Sequence, residues 1–341
     1  MDYLHHSGVD VVRYVQTSLA ESKNAMLLMS KAGDPRNAFL IYFPLIYALS
    51  HHHGRRIMWA GVVSEWLNIV FKWVLFGHRP YWWVHEYKHY TADEMEQFHL
   101  TCETGPGSPS GHAMVTAAVF YIIADASSSR MPRFLPHLIF LIAMIPVNLA
   151  RIFIAAHFPH QVIAGTICGI VIAVCLDKYT DVQHWHCKDY LKIAIGLFFS
   201  CIGFSWTLGQ LGVDFHWTLS LANKWCKNPE EWVSLNTTPY NSLIRDVFIL
   251  AGFGLAQLLA RKLKIHKHRG LLFNASECIL SVLAVNALEL YHFAHTSMLS
   301  FYIFSAIKHT LIPFLVVFII PFILSKFSSH HPVISYSHKT D

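Results

Sequence analysis

The chain reads as an all-α, polytopic membrane protein. Of its 341 residues 54% are hydrophobic and 14% charged, against about 25% charged in an average soluble chain. Mean hydropathy is +0.37. About nine separate apolar stretches approach the ~20 residues that a spanning helix needs. The formal charge of +5 is modest, and no basic arm or basic–aromatic interleaving points to nucleic acid.

In order, the expected spans fall near residues 25–49, 58–77, 112–127, 134–150, 153–176, 190–211, 244–260, 271–292 and 300–324. The first is interrupted by Asp34-Pro35-Arg36. A carboxylate at membrane depth is a candidate site group by default, so Asp34 either meets substrate hydroxyls or pairs with Arg36. His51-His52-His53, beside Arg55-Arg56, reads as a solvated loop rather than a metal site, since no carboxylate stands near to support the imidazoles. The fourth and fifth spans are separated almost only by Arg151, which demands a tight turn. The longest loops are 78–111 and 212–243. Residues 1–24 are polar and mixed, without the pattern of a cleavable signal. No internal repeat divides the chain, so residues 1–341 read as one integral-membrane domain, with 190–324 as a C-terminal extension.

Nine spans place the ends of the chain on opposite sides. Thirteen lysines and arginines, from Arg55 to Lys339, fall on one side, and seven on the other, two of these being Arg79 and Arg151. The richer side, with the C-terminus, is expected to face the cytosol. The sequon Asn236-Thr237-Thr238 lies on the opposite side and is a glycosylation candidate. Cys102 and Cys226 lie in loops on that same side, where a disulfide between them is open.

Three short strings within residues 72–161 carry the chemistry. The first is Lys72 followed by Arg79-Pro80. Seven residues is nearly two helical turns, so both cations are expected on one helix face, either gripping a phosphate dianion or snorkelling to lipid headgroups. Tyr81-Trp82-Trp83, directly after them, are expected to anchor the helix end at the membrane interface. The second string is Gly-Pro-Gly-Ser-Pro-Ser110-Gly111-His112, a constrained turn opening an apolar span. The free N–H groups of a helix start favour an anion, and His112 could donate a proton to a leaving oxygen. The third runs from Arg151 to His157. Six residues apart, they do not share a helix face, but Pro159 favours a new helix beginning near His157. A neutral imidazole there could attack phosphorus.

The pattern Lys-x6-Arg-Pro, Pro-Ser-Gly-His and Arg-x5-His resembles the signature of the type 2 phosphatidic acid phosphatase and vanadium haloperoxidase superfamily. The stretches FKWVLFGHRPYWWV, CETGPGSPSGHAM and AAHFPHQV are similar, more narrowly, to the glucose-6-phosphatase catalytic subunits of the endoplasmic reticulum. The resemblance extends to DPRNAF, KWCKNPEEW and TTPY. It implies hydrolysis of glucose 6-phosphate at a lumenal site of a multi-pass endoplasmic reticulum protein, without a metal or other cofactor. His157 would be the nucleophile and form a phosphohistidine, and His112 the general acid. Lys72, Arg79, Arg151, Ser110 and Gly111 would hold the phosphoryl oxygens. Asp34 and Glu103 are the candidates for the sugar. A lumenal site also implies a partner that transports glucose 6-phosphate. Two positions depart from the broad superfamily: Ala150 stands where serine precedes the arginine, and Gln161 stands where an aspartate would orient the histidine. Two other readings stay open: a lipid phosphate phosphatase with the same chemistry, and a membrane protein that binds the phosphate without turnover.

Overall fold

The computed structural model describes residues 2–87, 90, 95–132, 134–234, 238–265, 270–291 and 297–328. Among them every regular element is a helix. In chain order these are α1 (Asp2–Ser18), α2 (Lys23–Ala32), α3 (Phe43–Leu49), α4 (His51–Leu75), α5 (Pro80–Glu86), α6 (Gly111–Ser127), α7 (Phe134–Phe153) and α8 (Pro159–Tyr179). There follow α9 (Cys187–Gln210), α10 (Trp217–Trp225), α11 (Pro229–Trp232), α12 (Pro239–Lys262), α13 (Leu271–Leu290), α14 (Met298–Phe314) and α15 (Ile320–Ser328).

Among the described residues, seven helical stretches are long and apolar enough to cross a bilayer, and two shorter apolar helices, Ala38–Leu49 and Gly111–Ser127, fall where the first and third spans are expected. The first expected span is not one helix. It breaks after Ala32 and resumes through a π-turn at Ala38–Tyr42. Pro35 cannot continue the hydrogen-bond ladder, and Asp34 and Arg36 satisfy each other in the gap, Arg36 Nη2 donating to Asp34 Oδ2 at 2.6 Å. The histidine run is the first turn of α4 rather than a loop, capped by Ser50.

Two large buried apolar clusters, with a small third between α6 and α7, organise the described residues. One fills the bundle among α4, α6, α9, α12 and the last helices; the other lies at the site end, where Val9, Val12 and Val15 of α1 meet Tyr81–Val84, Ile152–Ala156 and Phe158. Helix α1 therefore packs on α5, α7 and α8. Its buried positions His5, Gly8, Val9, Val12 and Val15 form the stripe of an amphipathic helix.

Helix α6 packs extensively on α8, and two glycines allow the approach. A Cβ at Gly165 would stand 2.5 Å from the Ser110 carbonyl oxygen, and one at Gly169 would overlap the Met114 carbonyl. Small residues four apart let helix backbones approach in this way. The consequence is local to the chemistry. The start of α8, just after His157, is pressed against the start of α6 at Ser110-Gly111, and the Ser110 N–H donates to the Gln161 carbonyl at 3.0 Å.

Candidate active site

Lys72 and Arg79 reach the site from different elements, not from one helix face. Helix α4 ends at Leu75, where Phe76 turns left-handed (φ 47°), a conformation costing on the order of 1 kcal/mol in a residue with a Cβ. Extended chain follows, and Arg79 is the residue before Pro80, which opens α5. Tyr81, Trp82 and Trp83 are 0%, 0% and 5% exposed, so they do not anchor in lipid. They are buried in the site-end cluster, and Trp82 lies under the Arg79 guanidinium at 5.9 Å.

Arg79 is fully buried, and loop carbonyls hold it in place. Its Nε donates to Gly105 O at 2.9 Å, Nη2 to Pro106 O at 3.3 Å, and Nη1 to Ala156 O at 3.2 Å. The guanidinium thus joins the 103–107 loop to the turn that carries His157. Arg151, in the last turn of α7, donates through Nη1 to Ser30 Oγ at 2.8 Å, and its buried Nε has no hydrogen-bond partner.

His157 is fully buried in the turn between α7 and α8. Its Nδ1 lies 2.8 Å from Gly107 O and 3.3 Å from Gln161 Oε1. Both neighbours are acceptors, so the neutral ring carries its proton on Nδ1 and keeps a lone pair on Nε2. Gln161 is itself fixed, with Oε1 accepting from the Phe158 N–H at 3.1 Å and Nε2 donating to His78 O at 2.7 Å. Gln161 reaches His157 as expected, but the shorter orienting contact comes from the Gly107 backbone.

The four groups converge on one carboxylate. Arg79 Nη1 donates to Glu103 Oε2 at 3.0 Å, and Arg151 Nη2 donates to Glu103 Oε1. His112 Nδ1, in the first turn of α6, is 3.5 Å from Oε1, and His157 Nε2 is 3.7 Å from Oε2. Glu103 thus sits inside a ring of two guanidiniums and two imidazoles. Burial alone would raise its pKa, but Arg151 and Arg79 outweigh burial and hold the carboxyl well below its usual range. Burial also pushes the His157 imidazole down to about 3, against the opposing attraction of the Glu103 carboxylate for the protonated ring. The resting His157 ring is neutral.

A cavity of about 570 Å³ opens onto this ring, lined there by Asp34, Lys72, Glu103, Gly111, His112 and Arg151. Arg79 and His157 do not line it: the Glu103 side chain lies between them and the open space. Ser110 caps α6, and is also fully buried. Asp34 faces the cavity already paired to Arg36. Asn236 lies outside the described residues. Cys102 and Cys226 form a disulfide, with Cα atoms 5.7 Å apart, that fastens the residue before Glu103 to the end of α10. Two supports have no counterpart in the motif reading. One is Ser30, on Arg151; the other is Asn68, whose Nδ2 donates to Pro109 O at 3.0 Å and braces the Ser110-Gly111 turn. Asn68 lies one turn before Lys72, so that spacing could have marked it. Nothing in the sequence distinguishes Ser30.

Residues 54–184 match the model of the PAP2 superfamily. Among curated proteins, the chain is 38% identical to glucose-6-phosphatase 2 of Homo sapiens, over 94% of this chain and 96% of that one. It is 37% identical to glucose-6-phosphatase catalytic subunit 1 of Canis lupus familiaris, over 96% of each. Against glucose-6-phosphatase 3 of Homo sapiens it is 38% identical, over 95% and 96%. No solved structure matches. At that identity over nearly full length, with the three motifs gathered at the α6–α8 contact, this chain belongs to the glucose-6-phosphatase family of the PAP2 superfamily.

Proposed function

We propose that this protein hydrolyses glucose 6-phosphate to glucose and phosphate through a phosphohistidine, at a site facing the lumen of the endoplasmic reticulum. One observation carries the reading: two guanidiniums and two imidazoles converge on a single anion. Glu103 is that anion at rest. A phosphoryl dianion has the same oxygen acceptors and more charge, so it takes the ring while the carboxylate withdraws into the cavity it already lines. There Glu103, with Asp34, is available to sugar hydroxyls.

His157 Nε2 then attacks phosphorus from one side. The bond from phosphorus to the sugar oxygen breaks, and His112 delivers the proton that the leaving oxygen needs. Arg79, Arg151, Lys72 and the Ser110-Gly111 turn neutralise the charge of the equatorial oxygens. Water next attacks phosphorus, the P–N bond breaks, His112 takes the water's proton, and phosphate leaves. Gln161 and Gly107 O keep Nε2 aimed throughout.

The Lys/Arg asymmetry supports a lumenal site, as does the Cys102–Cys226 disulfide beside it, since such bonds persist in oxidising compartments. Asn236 is then a lumenal glycosylation site, and a transporter of glucose 6-phosphate is the required functional partner. Residues 1–341 act as a single domain whose extension, 190–324, closes the cavity. Phosphatase assays on intact and detergent-opened vesicles across sugar phosphates and phosphatidic acid test this reading. The expected result is glucose 6-phosphate hydrolysis that rises on opening. Equal rates in sealed vesicles would remove the lumenal placement, and preference for phosphatidic acid would make it a lipid phosphatase.

A further inference from the structure

The cavity is much larger than a phosphate group needs, and its far end is polar although it lies inside the bundle. That end is lined by Glu65 of α4, Ser242 and Arg245 of α12, and Asn286 of α13. Glu65, Asn68 and Lys72 are spaced i, i+3, i+7, so they share one face of α4. Seven residues at 1.5 Å rise put Glu65 about 10 Å along the axis from Lys72. This is about the reach of an ester linkage and a sugar ring starting from phosphorus.

Glu65 is 4% exposed. Its Oε2 takes both Arg245 Nε at 3.0 Å and Nη2 at 2.6 Å, and Ser242 Oγ accepts from the same Nη2 at 2.9 Å. Its Oε1 is left over by Arg245, and the neighbouring Asp246 carboxyl shares a hydrogen bond with Glu65. Ionisable groups at membrane depth are rarely kept without a use. Sugar hydroxyls are donors, and a carboxylate held rigid by a guanidinium is well suited to select among them.

We infer that Glu65, fixed by Arg245 and flanked by Ser242, is a specificity-determining contact for the hydroxyl groups at the end of the sugar remote from phosphorus. This rests on the sugar-phosphatase reading above and adds its far subsite. It assigns substrate selection partly to α12, outside the three motifs.

The test uses the purified full-length chain carrying Glu65→Gln or Ser242→Ala. Substrates are glucose 6-phosphate, its monodeoxy analogues and glycerol phosphate, which has no ring. Vanadate inhibition reports the integrity of the phosphate end. Each variant is expected to lose kcat/KM on glucose 6-phosphate, roughly ten- to a hundredfold for Glu65→Gln, as for loss of a hydrogen bond to a charged group. Glycerol phosphate and vanadate should be unaffected, and one deoxy analogue should show no further loss in the variant. Should Glu65→Gln fail to fold, Ser242→Ala carries the same comparison with the ion pair in place. Equal losses on glucose 6-phosphate and glycerol phosphate, or a loss that no deoxy analogue removes, would overturn the inference. Failure of the wild-type chain to hydrolyse any of these esters would instead refute the phosphatase reading itself.

Discussion

The two ends of the cavity are built differently. At the proposed phosphate end three side chains are held by backbone: Arg79 by four loop carbonyls, His157 by Gly107 O, Gln161 by His78 O. At the far end, side chains from elements distant in sequence hold one another, Glu65 with Arg245 and Arg36 with Glu289. Backbone carbonyls persist when side chains change, so the first construction fixes geometry for one reaction. The second can be altered one side chain at a time, which suits selection among substrates.

The largest expected effects lie at the phosphate end. His157→Ala should abolish both turnover and labelling of the enzyme by radioactive substrate; retained labelling would remove His157 from the nucleophile's role. His112→Ala should slow both steps and leave a trappable phosphoenzyme or none, and normal turnover would exclude it as the acid. Next comes Arg151→Lys. A lysine cannot reach Ser30 and the ring oxygens together, so kcat/KM should fall about 10²–10³-fold, the usual cost of losing one donor to transition-state charge. A loss confined to KM would show that Arg151 only gathers substrate.

Glu103→Gln sharpens the comparison at the boundary between the two ends. It removes a competing negative charge from the ring, so inorganic phosphate should inhibit several-fold more strongly. Unchanged inhibition would mean that the carboxylate and phosphate do not share a place.

Acid should weaken the fold through the same ring. The folded His157 titrates near 3, below the ~6.5 of an unfolded histidine, so between those values the unfolded chain binds more protons. Stability therefore falls as pH drops through that window. Glu103 adds in the same direction: its contribution is present above the ordinary carboxylate pKa and is lost as pH falls through its lower folded value. Thermal midpoints from pH 7 to 5 should drop less in His157→Gln than in the wild type.

The smallest effect is purely structural. Gly169→Ala forces a methyl group against the Met114 carbonyl, an overpacking that costs typically about 1–3 kcal/mol. Thermal unfolding should show it. Any accompanying loss of kcat would report the α6–α8 approach that sets Ser110 beside Gln161.

Much of this arrangement is legible in the chain because membrane helices are long apolar runs, and charges beside them are conspicuous. Lys72, Arg79, His112, Arg151 and His157 announce themselves in that way. What spacing alone misjudges is where a helix stops. Phe76 itself takes the left-handed turn that ends α4, one residue before Gly77, so spacing alone makes Lys72 and Arg79 seem to share a helix that is in fact broken. Helix α1 is hidden by its polarity, although the stripe from His5 to Val15 is regular. The Gly165–Gly169 pair was readable as a close-packing signal but names no partner. Glu103 at the centre of the ring could not be foreseen, because its place depends on a loop folding back over three motifs distant in sequence. The aromatic run after Arg79 looks like an interface belt, and only tertiary burial shows it to be the wall behind the guanidinium.

The central claim is that Arg79, Arg151, His112 and His157 grip one phosphoryl group, and that Glu103 stands in its place at rest. A structure of the protein with vanadate tests it directly. Vanadium bonded to His157 Nε2, its oxygens on both guanidiniums and the Glu103 carboxylate withdrawn into the cavity, is the expected outcome. Vanadate bound elsewhere, with Glu103 still between the two arginines, would contradict it.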